Sequence, residues 1–176
     1  MKTHCLAWVL PIFTAIACSP VSSKNIPVPA ISEEWTVLNI HDGDTLKARQ
    51  GSRIEKFRFC GIDAPELNQP LGIESRDKLR SLILSSKNKV MISEVEKDRY
   101  GRIVAEIFTT SPSGEKFLNE ELVSSGLAYH YAQYSSSCPN KGAIVSAEII
   151  AKNQHAGVWS GNYQKPWEYR KAKRNR

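Results

Sequence analysis

Residues 57–66 read Phe-Arg-Phe-Cys-Gly-Ile-Asp-Ala-Pro-Glu, and this stretch decides the fold. Its first half alternates as a half-buried strand does, with Phe57 and Phe59 on one side and Arg58 on the other. Pro65 cannot donate a ladder hydrogen bond, so strand pairing should end there and the chain should turn. The end of one strand therefore presents a guanidinium group, two carboxylates and a free backbone carbonyl.

Two further strands precede this one and are joined to it by short turns. Alternating residues predict strands over 34–40, 45–49 and 53–62. The turn at residues 41–44 reads His-Asp-Gly-Asp, and Asp-Gly is typical of tight hairpin turns. Three consecutive strands with short turns form a meander, so we expect an antiparallel sheet.

The rest of the chain adds two strands and three helices to this sheet. Strands are predicted over 89–95 and 103–108, and a helix over 72–84. Leu118 and Leu122 indicate a second helix ending at Gly126, and residues 143–151 indicate a third that ends by Gly157. Five short strands with three helices favour an α+β fold built on a small five-stranded barrel of the OB type.

Composition is that of an ordinary globular protein with a mild excess of positive charge. Hydrophobic residues make up 41% and charged residues 24% of 176 residues, which suits one domain with a sizeable core. The formal net charge is +6. Such an excess is compatible with a polyanionic substrate, but many secreted proteins share it, so charge alone does not decide between these interpretations.

The N-terminus has the features of an export signal. Lys2 precedes an apolar run over residues 6–17, which ends in an Ala-Ile-Ala cleavage pattern. This run is too short to span a bilayer as a helix. We therefore expect residues 1–23 to be a signal peptide and the protein to be periplasmic or secreted.

Cys18 leaves two outcomes open for the processed N-terminus. Ala-Ile-Ala-Cys partly matches a bacterial lipoprotein signal ending at Ala17, so one outcome is a lipid anchor at Cys18. If cleavage instead follows Ser22 or Ser23, only Cys60 and Cys138 remain. An even pair in an exported chain can form a disulfide, although the sequence does not show that the geometry allows it.

Three segments follow the signal in the predicted organisation. Residues 24–33 form a Pro-containing linker, residues 34–160 form the folded domain, and residues 161–176 form a basic C-terminal tail. We expect this tail to be solvated and disordered. A sharper interpretation is that it contacts nucleic-acid backbone without sequence specificity.

Two carboxylates mark the place where the chemistry should lie. Asp44 ends a tight turn and Asp63 ends a neighbouring strand, and in a meander these ends can lie close together. Carboxylates that face each other repel unless a cation lies between them. Ligation by oxygen alone suits Ca²⁺ or Mg²⁺, and the sequence has no His and Cys cluster with zinc spacing.

Three short blocks occur in order along the chain, at residues 42–45 (Asp-Gly-Asp-Thr), 58–66 (Arg-x-x-Gly-Ile-Asp-Ala-Pro-Glu) and 98–102 (Asp-Arg-Tyr-Gly-Arg). Together they resemble the signature of the staphylococcal (micrococcal) nuclease family. Residues 119–128 and 158–160 are similar to later parts of that family's domain. The resemblance implies an OB-type five-stranded barrel with three helices and a micrococcal-type endonuclease. It also implies Ca²⁺-dependent hydrolysis of DNA and RNA to products with 3′-phosphate ends.

The resemblance also assigns metal ligands and a base. Asp44 and Asp63 match the family's carboxylate ligands of Ca²⁺, and Ala64 matches the position that contributes its backbone carbonyl. The family often has threonine there, but a carbonyl ligand does not depend on the side chain. Glu66 matches the residue proposed as general base or as the group that orients the attacking water.

The substrate contacts are carried over in the same way. Arg58 and Arg102 match two arginines that hold the scissile phosphate, and such paired donation to phosphate is something lysine cannot reproduce. Tyr131 and Tyr134 lie near the positions of aromatic residues that contact the bound nucleotide, although their spacing differs from the usual one. Packing is the alternative role for both tyrosines.

These roles predict a monomer whose partners are the phosphate backbones of DNA and RNA, preferably single-stranded or flexible, with no protein partner implied. None of the roles reads a base edge, so sequence specificity should be weak. One alternative is an OB-fold module that binds single strands without cutting them. Loss of one acid would have favoured it, and none is missing. A second alternative is a lipid-anchored envelope protein, which only Cys18 supports.

Overall fold

The computed structural model describes residues 26–111 and 114–175. The predicted signal peptide, Cys18 and the start of the predicted linker lie outside the described residues. Nowhere in the described ranges is a helix both long and apolar enough to cross a bilayer.

Eight strands and four α-helices make up the described domain. The strands are β1 (Glu33–Ile40), β2 (Thr45–Gln50), β3 (Arg53–Phe59), β4 (Ile62–Asp63), β5 (Lys89–Lys97), β6 (Ile103–Ser111), β7 (Gly114–Phe117) and β8 (Tyr129–His130). The helices are α1 (Gly72–Leu84), α2 (Leu118–Ser124), α3 (Lys141–Asn153) and α4 (Pro166–Arg174). Two 3₁₀ turns lie at Ala132–Tyr134 and Gly157–Trp159.

Five of the strands close into a barrel, as the sequence predicts. The sheet order is β3-β2-β1-β5-β6-β7, and β3 also pairs in parallel with β6, which closes the first five strands of this order into a ring and leaves β7 outside it. The predicted antiparallel meander is confirmed by the pairing of β1 with β2 and of β2 with β3. The fold is therefore the predicted α+β barrel, extended by the β6–β7 hairpin and by α4.

Alternation along β3 produces the barrel interior. Phe57 and Phe59 are fully buried, and Phe57 packs edge-on against Trp35 with ring centroids 4.9 Å apart. Arg58 points to the opposite side and keeps 12% of its side chain exposed. Burial of apolar side chains at these alternate positions is what fixes the register of the strand.

The predicted third strand over residues 53–62 is wrong in its last part. It ends at Phe59, and the chain turns at Gly61, whose φ of 70° is a left-handed conformation that favours glycine. Residues 62 and 63 then form the separate strand β4, which pairs with β8. Asp63 therefore belongs to a second, two-stranded sheet beside the barrel end.

A disulfide fixes this turn from behind. Cys60 is bonded to Cys138, with Cα atoms 5.8 Å apart. Cys60 also accepts a hydrogen bond at its carbonyl from the buried side chain of Asn119, at 2.8 Å. The pairing that the sequence leaves open is thus present in the fold, and it holds the end of β3 against the segment that leads into α3.

The prediction of a disordered C-terminal tail is wrong. Residues 166–174 form α4, which begins at the buried Pro166, and proline suits the first turn of a helix because its missing N–H would have no partner there. Just before α4, the carbonyl of Gln164 accepts a hydrogen bond from the buried Gln69 side chain at 2.8 Å. The C-terminal segment is therefore packed onto the domain near the strand ends.

Candidate active site

The strand ends open into a cleft of about 920 Å³. Six of the predicted site residues line it, namely Asp44, Arg58, Glu66, Arg102, Tyr131 and Tyr134. The other two, Asp63 and Ala64, are buried and follow directly from Ile62 in the wall of the cleft. The structure thus brings all the residues predicted from separate parts of the chain to one place.

The β1–β2 turn places Asp44 at the cleft. The backbone N–H of Asp44 donates to Asp42 Oδ1 at 3.0 Å, which is the usual turn chemistry of an aspartate. Gly43 lies so close to its neighbours that a Cβ there would be 2.8 Å from Ala64 Cβ and would collide with Ser75. Asp44 Oδ2 accepts from the Ala64 N–H at 2.6 Å, which ties this turn to the residue after β4.

Arg58 joins the two predicted metal ligands. Its Nη2 donates to Asp63 Oδ1 at 2.7 Å, and its Nη1 pairs with Asp44 Oδ1. The same guanidinium group donates to the backbone carbonyl of Ile62 at 2.9 Å. Burial alone would lower the pKa of Arg58, but the charges of Asp44 and Asp63 outweigh it and raise this pKa. The two carboxylates therefore lie close enough to share one cation.

A second guanidinium group, which the sequence analysis did not place here, reaches Asp63 from α4. Arg170 donates from Nη1 to Asp63 Oδ1 at 3.0 Å and from Nη2 to Asp63 Oδ2 at 2.7 Å. The Asp63 side chain is fully buried, and burial raises its pKa, whereas hydrogen bonds and charge from the two arginines act to lower it. Asp63 thus accepts hydrogen bonds from two arginines, one five residues away and one 107 residues away along the chain.

Glu66 lies at the edge of the same group and remains one-third exposed. Its Oε1 accepts from Arg170 Nη1 at 2.8 Å. Its backbone N–H donates to the side chain of Gln69 at 3.0 Å, in the turn that follows Pro65. A carboxylate that is held by one oxygen and partly open to solvent can meet a water molecule in the cleft.

Asp42 adds a further acid to the cleft. Burial, together with the charge of Asp44, raises the pKa of Asp42 to about 8. Burial and the neighbouring Asp44 carboxylate thus both disfavour the charged form of Asp42.

Arg102 comes from the turn between β5 and β6, where Gly101 has a φ of 76°. Its Nε donates to Asp98 Oδ2 at 2.7 Å, and its guanidinium lies 5.6 Å from the ring centre of Tyr100. Partial burial would raise the pKa of Asp98, but hydrogen bonds from Arg102 and Tyr100 lower it. The structure thus places Arg102 in the cleft, paired with Asp98 and not with the carboxylates that Arg58 contacts.

Aromatic rings form another part of the cleft wall. Tyr131 and Tyr134 meet edge to face with ring centres 4.8 Å apart. Trp167 of α4 stacks on Tyr131, with ring centres 5.0 Å apart and planes only 5° from parallel. The two tyrosines differ in exposure. Tyr131 packs between Tyr134 and Trp167, whereas Tyr134 is 49% exposed to solvent.

Arg170 and Trp167 are the site residues that sequence reasoning missed. Trp167, Arg170 and Arg174 follow helical spacing, and all three line the cleft. That spacing is the signal that could have identified one face of a helix in residues 161–176, where the sequence analysis considered only the charge.

The acids fit a hard cation, although they do not form a closed metal cage. In the parts of the chain that the structure describes, no three His, Cys, Asp or Glu side chains converge as ligands of one metal ion. Asp44 and Asp63 nevertheless lie on either side of one cationic group, the Arg58 guanidinium, and both pair with it. An ion held there would complete its shell with backbone, water or phosphate oxygens, which suits a hard divalent cation.

Comparisons with known proteins place the chain in a family. The profile of the family described as staphylococcal nuclease homologue matches residues 56–161. A micrococcal nuclease of Shigella flexneri is 32% identical over 94% of this chain and 96% of its own length. An uncharacterized endonuclease of Escherichia coli is 31% identical over 85% of this chain and 99% of its own. A staphylococcal-like nuclease of Arabidopsis thaliana is 36% identical over 68% of this chain, which spans only 34% of that longer protein.

Proposed function

The chain belongs to the staphylococcal nuclease family and is a nuclease. On that premise we propose that it is an exported, Ca²⁺-dependent enzyme that hydrolyses phosphodiester bonds of DNA and RNA with little sequence specificity and leaves 3′-phosphate ends. The observation that carries this proposal is the convergence of Asp44 and Asp63 on Arg58, with Glu66 in the same cleft.

Asp44 and Asp63 would hold the ion, together with the backbone carbonyl of Ala64. Their oxygen-only donor set is the kind that Ca²⁺ accepts, and few protein ligands imply weak binding, with a Kd of about 10⁻⁴–10⁻³ M. Such a site fills outside the cytosol, where Ca²⁺ is abundant, and this agrees with the proposed export. When bound, the ion offsets negative charge on the phosphate and on the transition state.

Arg58 and Arg102 bind and orient the scissile phosphate. Each guanidinium can donate two parallel hydrogen bonds to phosphate oxygens, and both lie in the cleft. In the structure they pair with carboxylates, so phosphate would share or take over donors that now point at Asp44 and Asp98. Because the transition state carries more negative charge than the substrate, these contacts strengthen as the reaction proceeds.

Glu66 accepts the proton from the attacking water. The water oxygen bonds to phosphorus, the water proton passes to a Glu66 carboxylate oxygen, and the bond between phosphorus and the 5′ oxygen breaks. The phosphate then stays on the 3′ oxygen, the 5′ oxygen leaves as a hydroxyl after taking a proton from solvent, and Glu66 returns its own proton to solvent. In-line attack of this kind needs the water and the phosphate fixed together, which the cleft geometry supports.

The aromatic wall supports a proposed preference for flexible substrates. Tyr134 is exposed, and Tyr131 presents an ordered ring beside it, so an unpaired base could stack there whatever its identity. Bases inside a stacked duplex are not free to do so. We therefore propose that single-stranded or locally open DNA and RNA are the better substrates, and that one chain is sufficient for activity.

Digestion assays test the proposal. Purified protein is incubated with single-stranded DNA, duplex DNA and RNA in Ca²⁺, in Mg²⁺ or in EGTA, and the ends of the products are mapped with a kinase that labels 5′-hydroxyl groups. We expect Ca²⁺-dependent digestion, fastest on single strands, to products that accept label directly. If Ca²⁺ produces no digestion beyond the EGTA control while the protein still shifts single-stranded DNA in a gel, the binding-module alternative replaces the enzyme.

The proposed export has its own test. Mass spectrometry of the mature protein from its native host identifies the first residue and any lipid on it. A start at Lys24 without modification supports simple export and eliminates the anchor at Cys18, whereas a retained Met1 contradicts export.

A further inference from the structure

We propose that Arg170 of α4 is a positioning residue that holds the base Glu66 beside the metal-binding carboxylate Asp63. The proposal rests on the nuclease function described above and extends it to a part of the chain beyond the family match, which ends at residue 161. It gives α4 a role in positioning Glu66, in addition to its positive charge.

The contacts of Arg170 centre on the proposed reaction machinery. Its Nη1 donates to both Asp63 Oδ1 at 3.0 Å and Glu66 Oε1 at 2.8 Å, and its Nη2 donates to Asp63 Oδ2 at 2.7 Å. The charges of these partners raise its pKa, although burial alone would lower it. One guanidinium thus contacts two of the residues predicted to form the site, Asp63 and Glu66.

Arg170 bridges Asp63 and Glu66 and so offsets the repulsion between these two carboxylates. Asp63 and Glu66 are both acids and both approach one point, so without a cation between them they would repel and Glu66 would swing into solvent. A guanidinium is planar and carries five donors, so it can hold two carboxylates at once, which a single ammonium group does less well. Arg170 uses only Oε1 of Glu66, and among the described contacts Oε2 has no protein partner, so it stays open to water.

The helix that carries Arg170 is itself fixed to the loop that carries Glu66. Gln69 accepts from the Glu66 N–H at 3.0 Å and donates to the Gln164 carbonyl at 2.8 Å, so one side chain joins the two segments. On the other side of Arg170, Trp167 stacks on Tyr131. These contacts place the Arg170 guanidinium at a defined position, as a positioning residue requires.

The rest of the helix offers a matched control. Lys173 is exposed, lies on the same helix and carries the same charge as Arg170. Removing the Lys173 charge weakens general attraction to nucleic acid but leaves the Glu66 bridge intact. Any difference between variants at these two positions therefore reports on the bridge and not on charge.

Steady-state kinetics on a single-stranded oligonucleotide test the proposal with four full-length proteins: wild type, Arg170→Gln, Arg170→Lys and Lys173→Gln. Removing a group that orients a metal-site residue typically costs about 10–100-fold. We expect the kcat of Arg170→Gln to be about 10–100-fold below that of wild type, with KM changed less than about threefold. The kcat of Arg170→Lys should lie only slightly above that of Arg170→Gln. Lys173→Gln should keep the wild-type kcat.

Two measurements separate positioning from a structural or inhibitory role. Thermal unfolding should show that Arg170→Gln is folded at the assay temperature, and a Ca²⁺ titration should show binding no weaker than in wild type, because only a cation has been removed. Unchanged or increased kcat in Arg170→Gln would overturn the proposal, and increased kcat with tighter Ca²⁺ binding would identify Arg170 as an inhibitory plug. Equal losses in Arg170→Gln and Lys173→Gln, or loss of Ca²⁺ binding, would overturn it too. An inactive wild type would instead refute the nuclease function itself.

Discussion

Two regions of the molecule grip the same buried carboxylate, and they differ in how far they lie from it along the chain. Arg58 of β3 reaches Asp63 of β4 from five residues away, across the short turn between these strands. Arg170 reaches it from 107 residues away, on a helix that must first pack against the domain. The first contact follows from a local motif, whereas the second exists only after folding, although the two bonds to Asp63 are equally short at 2.7 Å.

The largest expected effect lies at Glu66, which the second region holds through Arg170. Glu66→Gln keeps the size of the side chain and removes its ability to take a proton, so we expect kcat to fall by about 10²–10⁴-fold. Substrate binding in Ca²⁺, measured by fluorescence anisotropy with a labelled oligonucleotide, should stay near wild type. Equal loss of binding and turnover would show that Glu66 is a metal ligand or a structural support, and Arg170 would then not hold a base.

Removing the disulfide tests how strongly the local region depends on a distant anchor. Cys60 and Cys138 are separated by 78 residues, and closing a loop of that length stabilises a fold by about 4 kcal/mol in the chain-entropy account. The double variant Cys60→Ala/Cys138→Ala should lose most of that free energy of unfolding in denaturant titrations. A loss below about 1 kcal/mol would show that the barrel end is held by Asn119 and core packing alone.

Arg102→Lys tests whether Arg102 donates paired hydrogen bonds to phosphate or contributes only its positive charge. Lysine keeps the charge but cannot donate two parallel hydrogen bonds, so we expect a loss of about 100-fold in kcat/KM. Arg80→Lys is the matched control, since Arg80 is an exposed arginine of α1 that pairs with Asp77 at 2.7 Å. Near-normal activity of Arg102→Lys would contradict paired donation to phosphate.

The same contrast explains what the sequence predicted and what it did not. The helix over 72–84 was predicted with its observed bounds, because its leucines repeat at helical spacing. Asp44 and Asp63 were recognised because motif and turn chemistry lie within a few residues of each. The end of β3 was placed too late, because Ile62 continues the alternation while the backbone of Gly61 has already turned.

Residues 161–176 were misread for a physical reason. Lysine and arginine occur both in solvated coil and on the outer face of a helix. A high content of these residues therefore does not distinguish a disordered tail from a surface helix. What orders this segment is contact with the rest of the fold, through Pro166, Trp167 on Tyr131 and Arg170 on Asp63. None of these contacts is visible from the segment alone.

The smallest effect is expected at the aromatic link between the two regions. Trp167→Ala removes the stack on Tyr131, and such a pair contributes about 0.5–1.5 kcal/mol beyond its buried area. We expect a modest fall in the free energy of unfolding and a rise of a few-fold in KM, with Trp167→Phe close to wild type. An unchanged KM in a folded Trp167→Ala protein would mean that α4 supports Glu66 but does not shape the substrate wall.

The central claim is that Asp44 and Asp63 hold one divalent ion between them, and a Ca²⁺ titration followed by ¹H–¹⁵N NMR tests it most directly. The Ala64 amide donates to Asp44 Oδ2 at 2.6 Å and so reports on that carboxylate. We expect a saturable shift of this amide with a Kd of about 10⁻⁴–10⁻³ M in wild type and in the surface control Asp77→Asn, and none in Asp44→Asn or Asp63→Asn. Saturation of the same amide with the same Kd in both active-site variants would contradict the account.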